Sequence, residues 1–144
     1  MTISVGDVIW YPGTGQGAKM AKPHMHVLVK VDAVSGDVYC VPISSEASNW
    51  DKTCEVDVSD KVPGVTRRSF IAYFHAKKIA LTGLVGQLAC GTATNNGAMP
   101  AKILAKVIQG ISISDETEGW FVRDVIPPPA APTRRVLKSI QSGT

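Results

Sequence analysis

At 144 residues the chain is long enough for one domain of ordinary size and too short for two. Hydrophobic residues make up 44% and charged residues 19%, which supplies a core and excludes wholesale disorder. Fifteen Lys+Arg against twelve Asp+Glu leave +3, a mildly basic balance that permits a polyanionic partner without requiring one.

The first two thirds read as short strands. Val5 to Trp10 is rich in β-formers and stops at the turn signal Tyr11-Pro12-Gly13. Thr14 to Lys19 is glycine-rich and polar, and reads as a loop. It lacks the Gly-Lys-Ser/Thr ending of a phosphate-binding loop. A second strand is expected over His26–Val31 and a third over Val38–Ile43, paired as a hairpin through Ser35-Gly36-Asp37. After a polar loop, Thr53–Val58 alternates as a half-buried strand does. Pro63-Gly64 marks a turn, and Ser69–Phe74 is aromatic and β-branched, a further strand. Then the period changes. Ile103, Leu104, Val107, Ile108 and Ile111 form the apolar stripe of an amphipathic helix near 100–110, with Pro100 by its first turn and Gly110 near its end.

Residues 127–144 form a separate unit. Pro127-Pro128-Pro129-Ala130-Ala131-Pro132 supports neither a helix nor a sheet interior and is expected as extended polyproline, followed by the basic Thr133–Lys138. Residues 1–126 are then one mainly β domain, a small barrel closed by a C-terminal helix. No apolar run approaches the roughly 20 residues that cross a bilayer, so no membrane partner is expected. Met1–Asp7 lacks the basic stretch of a signal peptide, which points to the cytoplasm. Cys40, Cys54 and Cys90 are odd in number and widely spaced, with no Cys-x-x-Cys pair. They are expected as three buried or half-buried thiols rather than a zinc knuckle or a disulfide framework.

The order of segments resembles the MazF/PemK-like toxins. Val5-Gly6-Asp7-Val8-Ile9-Trp10 is similar to that family's Gly-Asp opening strand. Lys22-Pro23-His24-Met25-His26-Val27-Leu28-Val29 is similar to its Arg-Pro-led second strand, and Val41-Pro42-Ile43-Ser44-Ser45 to its Val-Pro-(Ile/Leu)-Thr-Ser. Ser69–Lys77 resembles the strand that ends in Gln-Ile-Arg. The likeness covers roughly residues 3 to 112. It implies an SH3-like β-barrel with a terminal helix. It further implies a homodimer that cleaves single-stranded RNA by 2′-hydroxyl attack without metal or other cofactor, and an antitoxin protein that covers the cleft. The catalytic positions differ in type. Lys22 or His24 stands for the family's Arg, Ser44 for its Thr, His75 for its Gln, and Lys77 for its second Arg. Lysine lacks the bidentate fork of arginine.

His24 and His26 are two apart, so on a strand they share a face. Two imidazoles can serve as base and acid for RNA cleavage. Ser44 would position a phosphate oxygen, and Lys19, Lys22, His75 and Lys77 would contact RNA and its phosphates. Trp10, Tyr11 and Trp50 are candidates for base stacking or for packing. A three-histidine metal site built from His24, His26 and His75 is the second chemical reading, though no Glu follows the pair as cupin-type sites require. The alternative to an enzyme is a phage or mobile-element binding module that uses the same barrel to hold a protein or nucleic acid.

Overall fold

A computed structural model describes residues 2–12, 23–48 and 50–128. Among these residues the fold is mainly β: seven strands in one curled antiparallel sheet, a half-barrel, with three α-helices. In chain order these are β1 (Asp7–Tyr11), β2 (His24–Asp32), β3 (Asp37–Ser44), β4 (Glu55–Val56), β5 (Ser69–Ile71), β6 (Lys77–Ala80), α1 (Leu81–Cys90), β7 (Thr94–Ala98), α2 (Ala101–Ile113) and α3 (Gly119–Val125). The sheet runs β4-β5-β3-β2-β1-β7, and β6 also pairs with β3. Register shifts at Leu28/Lys30 in β2 and at Asp7/Ile9 in β1 are the kind of irregularity that bends and twists a sheet locally.

The expected hairpin forms between β2 and β3. Its turn is held by Asp32, whose Oδ1 accepts from the Val34 and Ser35 amides at 3.0 and 3.1 Å, while Gly36 takes φ +77°. β2 starts two residues before the expected strand, because His24 pairs with Tyr11 of β1. The expected Thr53–Val58 strand shrinks to β4. Its C-terminal part becomes a 3-10 turn in which Asp57 and Asp60 exchange a reciprocal cap, so local side-chain bonds replace the ladder.

The expected Ser69–Phe74 strand also ends early, at Ile71, and Pro42 on the neighbouring strand is the physical reason. Pro42 O accepts from the Ala72 amide at 2.9 Å, so its carbonyl faces β5. In a strand the N–H and C=O of one residue point the same way, so the donor that proline lacks is missing on that side too. The chain leaves the ladder there as a 3-10 turn, Tyr73–His75, and rejoins β3 as β6 opposite Asp37–Cys40. The break projects Phe74 and His75 out of the sheet's edge.

Both sheet faces are covered, which is why the central strands read as nearly continuous apolar runs. On one face Val8, Val27, Val29, Val41, Ile43 and Ile71 pack with Ile103, Val107 and Ile111 of α2 and Phe121 and Val125 of α3. On the other, Ile9, Tyr11, Leu28, Val38, Cys40 and Ile79 pack with Leu84 and Leu88 of α1. The helix expected near 100–110 is α2. It runs on to Ile113, so Gly110 lies inside it, buried against Tyr73 rather than ending it. α1 and α3 were not anticipated: Gly83 and Gly86 interrupt the Leu81-Leu84-Leu88 stripe of the first, and the second has only seven residues.

α3 is tied to the sheet by polar bonds. Tyr39 Oη donates to Asp124 Oδ2 at 3.1 Å, and Lys30 Nζ donates to the Asp124 carbonyl at 2.6 Å. Tyr39→Phe is expected to cost about 1.5 kcal/mol, the range for a bond to a charged acceptor, read as a lower urea midpoint at unchanged m-value.

Candidate functional site

Two adjoining grooves open at the C-terminal end of β3. The first, a cavity of about 320 Å³, brings Ser44 and His75 together with Glu46, Trp50, Asp51, Phe74 and Glu116. The second, about 330 Å³, is lined by His24 with Trp10, Ser45, Glu46, Thr66 and Arg67 among others. Glu46 belongs to both walls.

Ser44 is the last residue of β3 and is nearly buried, with its Oγ accepting from the Glu46 amide at 3.2 Å. That bond folds the chain back over the strand end and puts Glu46 at the groove's lip. His75 closes the 3-10 turn created by Pro42, its ring edge-on to Phe74 at 4.8 Å. Asp51 accepts from Ser114 Oγ at 2.6 Å, which ties the loop to the end of α2 and brings Glu116 alongside. Trp50 stacks on Phe70 at 4.5 Å, carries the Arg68 guanidinium at 5.4 Å, and donates from Nε1 to Glu55 at 3.0 Å. Arg68 also pairs with Glu55.

His26 does not reach either groove. It shares the face of His24, as the spacing predicts, but lies opposite Ile9 and Pro42 and is only 2% exposed. Its ring sits edge-on to Tyr11 at 5.5 Å. Nδ1 lies 2.9 Å from the His24 carbonyl, so it carries the proton and donates, while Nε2 has no hydrogen-bond partner among the described residues. Burial drives its pKa down to about 3, the Lys77 charge adds to this, and the bond to His24 opposes it. At neutral pH it is a neutral ring sealed in the sheet, so the expected pair of accessible imidazoles is replaced by one half-buried ring, His24, and one enclosed ring.

Lys77 lies across from Cys40 on β3. It is half-buried, desolvation lowers its pKa, and its charge is felt by His26 and Cys40 rather than at the Ser44–His75 groove. Lys19, Lys22 and the glycine-rich loop fall outside the described residues. Of the stacking candidates, Trp10 is exposed and Trp50 half-buried at the two grooves, whereas Tyr11 is buried. Among the described residues no group of three or more His, Cys, Asp or Glu is placed to hold a metal ion, so the three histidines do not assemble the alternative metal site. Cys40 and Cys54 are buried, and burial pushes the Cys40 thiol up to about 12. Cys90, expected at least half-buried, is exposed at the end of α1, where Thr92 Oγ1 at 2.7 Å holds its pKa below the usual thiol value.

The carboxylates of the first groove were not singled out in the sequence. Glu46 follows the Val-Pro-Ile-Ser-Ser string directly, a local signal that was there to read. Glu116 comes from beyond α2, and only the tertiary fold brings it to Ser44. Among the described residues the carboxylates of Glu46, Asp51 and Glu116 line the groove where Ser44 and His75 meet. Among the described residues no helix is long and apolar enough to cross a membrane. The chain matches no protein-family model and no curated protein.

Proposed function

We propose that the half-barrel is the SH3-like barrel of a MazF/PemK-like endoribonuclease, with its cleft at the two grooves beside β3. One observation carries the reading. Ser44 and His75, distant in sequence, line a single groove, and both stand where the resemblance puts polar functional residues of that family. In this reading His75 takes the proton of a ribose 2′-hydroxyl. The 2′-oxygen bonds to phosphorus, the bond to the 5′-oxygen breaks, and the leaving oxygen receives a proton from His24 across the shared Glu46 wall. Ser44 donates to a non-bridging oxygen, and Arg67 in the adjoining groove supplies positive charge. Trp10, exposed at the second groove, offers a face for a base. His26 transfers no proton and fixes the strand. The substrate is single-stranded RNA, the working form is a cytoplasmic homodimer, and an antitoxin covers the cleft.

Purified protein incubated with a long unstructured RNA in EDTA is expected to yield fragments ending in 2′,3′-cyclic phosphate. His75→Ala is expected to slow cleavage on the order of 100-fold, with a smaller loss in Ser44→Ala and circular dichroism unchanged in both. RNA left intact at high protein concentration would overturn the enzyme. A second reading, a non-catalytic module for a basic partner, is favoured by Glu46, Asp51 and Glu116 around the same groove. It predicts intact RNA together with partner binding that weakens in Glu46→Gln and Glu116→Gln.

A further inference from the structure

Among the described residues, His26 Nε2 and Gln87 Oε1 are buried without a hydrogen-bond partner. Both belong to the side of the sheet that α1 covers: His26 lies opposite Ile9, which packs there with Leu84 and Leu88, and Gln87 is on α1 itself. Tyr11 joins the two. Its ring stands edge-on to the His26 ring at 5.5 Å, and its hydroxyl shares a hydrogen bond with the Gln87 side chain. Burial raises the Tyr11 pKa and Cys40 adds to this, while the bond to Gln87 opposes them, as a bond donated to the phenol oxygen does. Gln87 therefore gives an N–H to Tyr11 and is left with Oε1. His26 uses Nδ1–H on the His24 carbonyl and is left with the lone pair of Nε2. The two leftover atoms are both acceptors. Leaving either one buried and unmade is costly.

We infer that one water molecule is enclosed between β2 and α1, donating one hydrogen to His26 Nε2 and the other to Gln87 Oε1. The acceptor pair selects this ligand. An anion would meet two lone pairs. A metal ion would find no group of three His, Cys, Asp or Glu among the described residues, and any added cation would meet the Lys77 charge already felt at His26. A small neutral molecule with two hydrogens to give is what fits, and waters with about three hydrogen bonds are a regular part of protein interiors. The Tyr11 hydroxyl, in contact with both groups, gives its own hydrogen to the water oxygen as the third. The link ties β1 and β2 to α1, a helix whose buried side chains are Leu84 and Leu88. It also holds His26 in the neutral form protonated at Nδ1. The inference is independent of the ribonuclease reading, since neither His26 nor Gln87 lines either groove.

The test is ¹⁷O relaxation dispersion of water in solutions of the full chain. It counts waters that stay bound longer than the protein takes to tumble, and because it reads oxygen it is blind to exchanging hydroxyl hydrogens. Wild type is expected to exceed Gln87→Met by one long-lived water, His26→Leu by one, and the double variant by that same single water. Equal dispersion in wild type and Gln87→Met would overturn the proposal. Two waters lost in the double variant would mean separate sites and would overturn the bridge. Gln87→Met keeps side-chain length and helix propensity, so it serves alone if His26→Leu does not fold. In ¹⁵N spectra of the imidazole, Nε2 is expected to be unprotonated in wild type and to move downfield in Gln87→Met, as a ring nitrogen does when it stops accepting. A protonated Nε2, or one that stays in place, would equally rule the water out.

Discussion

Gly110→Ala is expected to destabilise the protein by about 3 kcal/mol, although alanine is the better helix former by about 1 kcal/mol. A Cβ at this position would stand 2.1 Å from Tyr73 Oη and 2.7 Å from Tyr73 Cζ. Tyr73 cannot step aside cheaply. It is fully buried, and its hydroxyl donates to the Val107 carbonyl at 2.7 Å on the same helix. Either α2 lifts from the sheet or the 3-10 turn Tyr73–His75 moves, and the second route displaces His75 from the groove. Urea denaturation reads the loss. A result within about 0.5 kcal/mol of wild type would show that the helix and the turn do not meet as described. Tyr73→Phe removes the nearest atom and leaves Cζ, so the double variant is expected to lose less than the sum of the two single changes.

The second large effect is a loss of stability in mild acid that runs through His26. Its pKa in the folded protein is lowered to about 3 by burial, then by Lys77, while the unfolded chain titrates near 6.5. The unfolded state therefore binds a proton that the folded state refuses. Stability is full above about pH 6.5, falls by about 2 kcal/mol by pH 5, and by on the order of 4 kcal/mol by pH 3. The groups facing the ring reinforce this: Lys77 on β6 repels a second positive charge, and neither Tyr11 on β1 nor the neutral Cys40 thiol on β3 offers an anion. Asp32, whose pKa is lowered by its turn hydrogen bonds, loses its contribution only at lower pH, so the window from 6.5 to 4.5 isolates the histidine. Chemical denaturation across that window is expected to show the slope in wild type and a flat line in His26→Leu. An equal slope in both would assign the acid sensitivity elsewhere.

These two sites show how far local reading extends. The His24–His26 spacing places both rings on one face of a strand, and the structure keeps them there. Which of them is enclosed depended on neighbours from other strands, Tyr11 of β1 against the His26 ring and Pro42 of β3 opposite it. The same holds for Gly110. Near the end of an apolar stripe it reads as a stop, and only its contact with Tyr73, 37 residues earlier, makes it a packing residue.

Alternation and turn chemistry by themselves determined the β character, the β2–β3 hairpin and the position of α2, because those signals act over a few residues. Pro42 was legible too, but its effect was not: a missing donor matters only for the strand that lies beside it, and it is that neighbour which breaks to present His75. Tertiary structure alone decided that Ser44 and His75 share a groove with Glu46, Asp51 and Glu116, and that His26 is enclosed and neutral. Charge and solvent at a site are sums over groups brought together from distant parts of the chain, and no local window contains that sum.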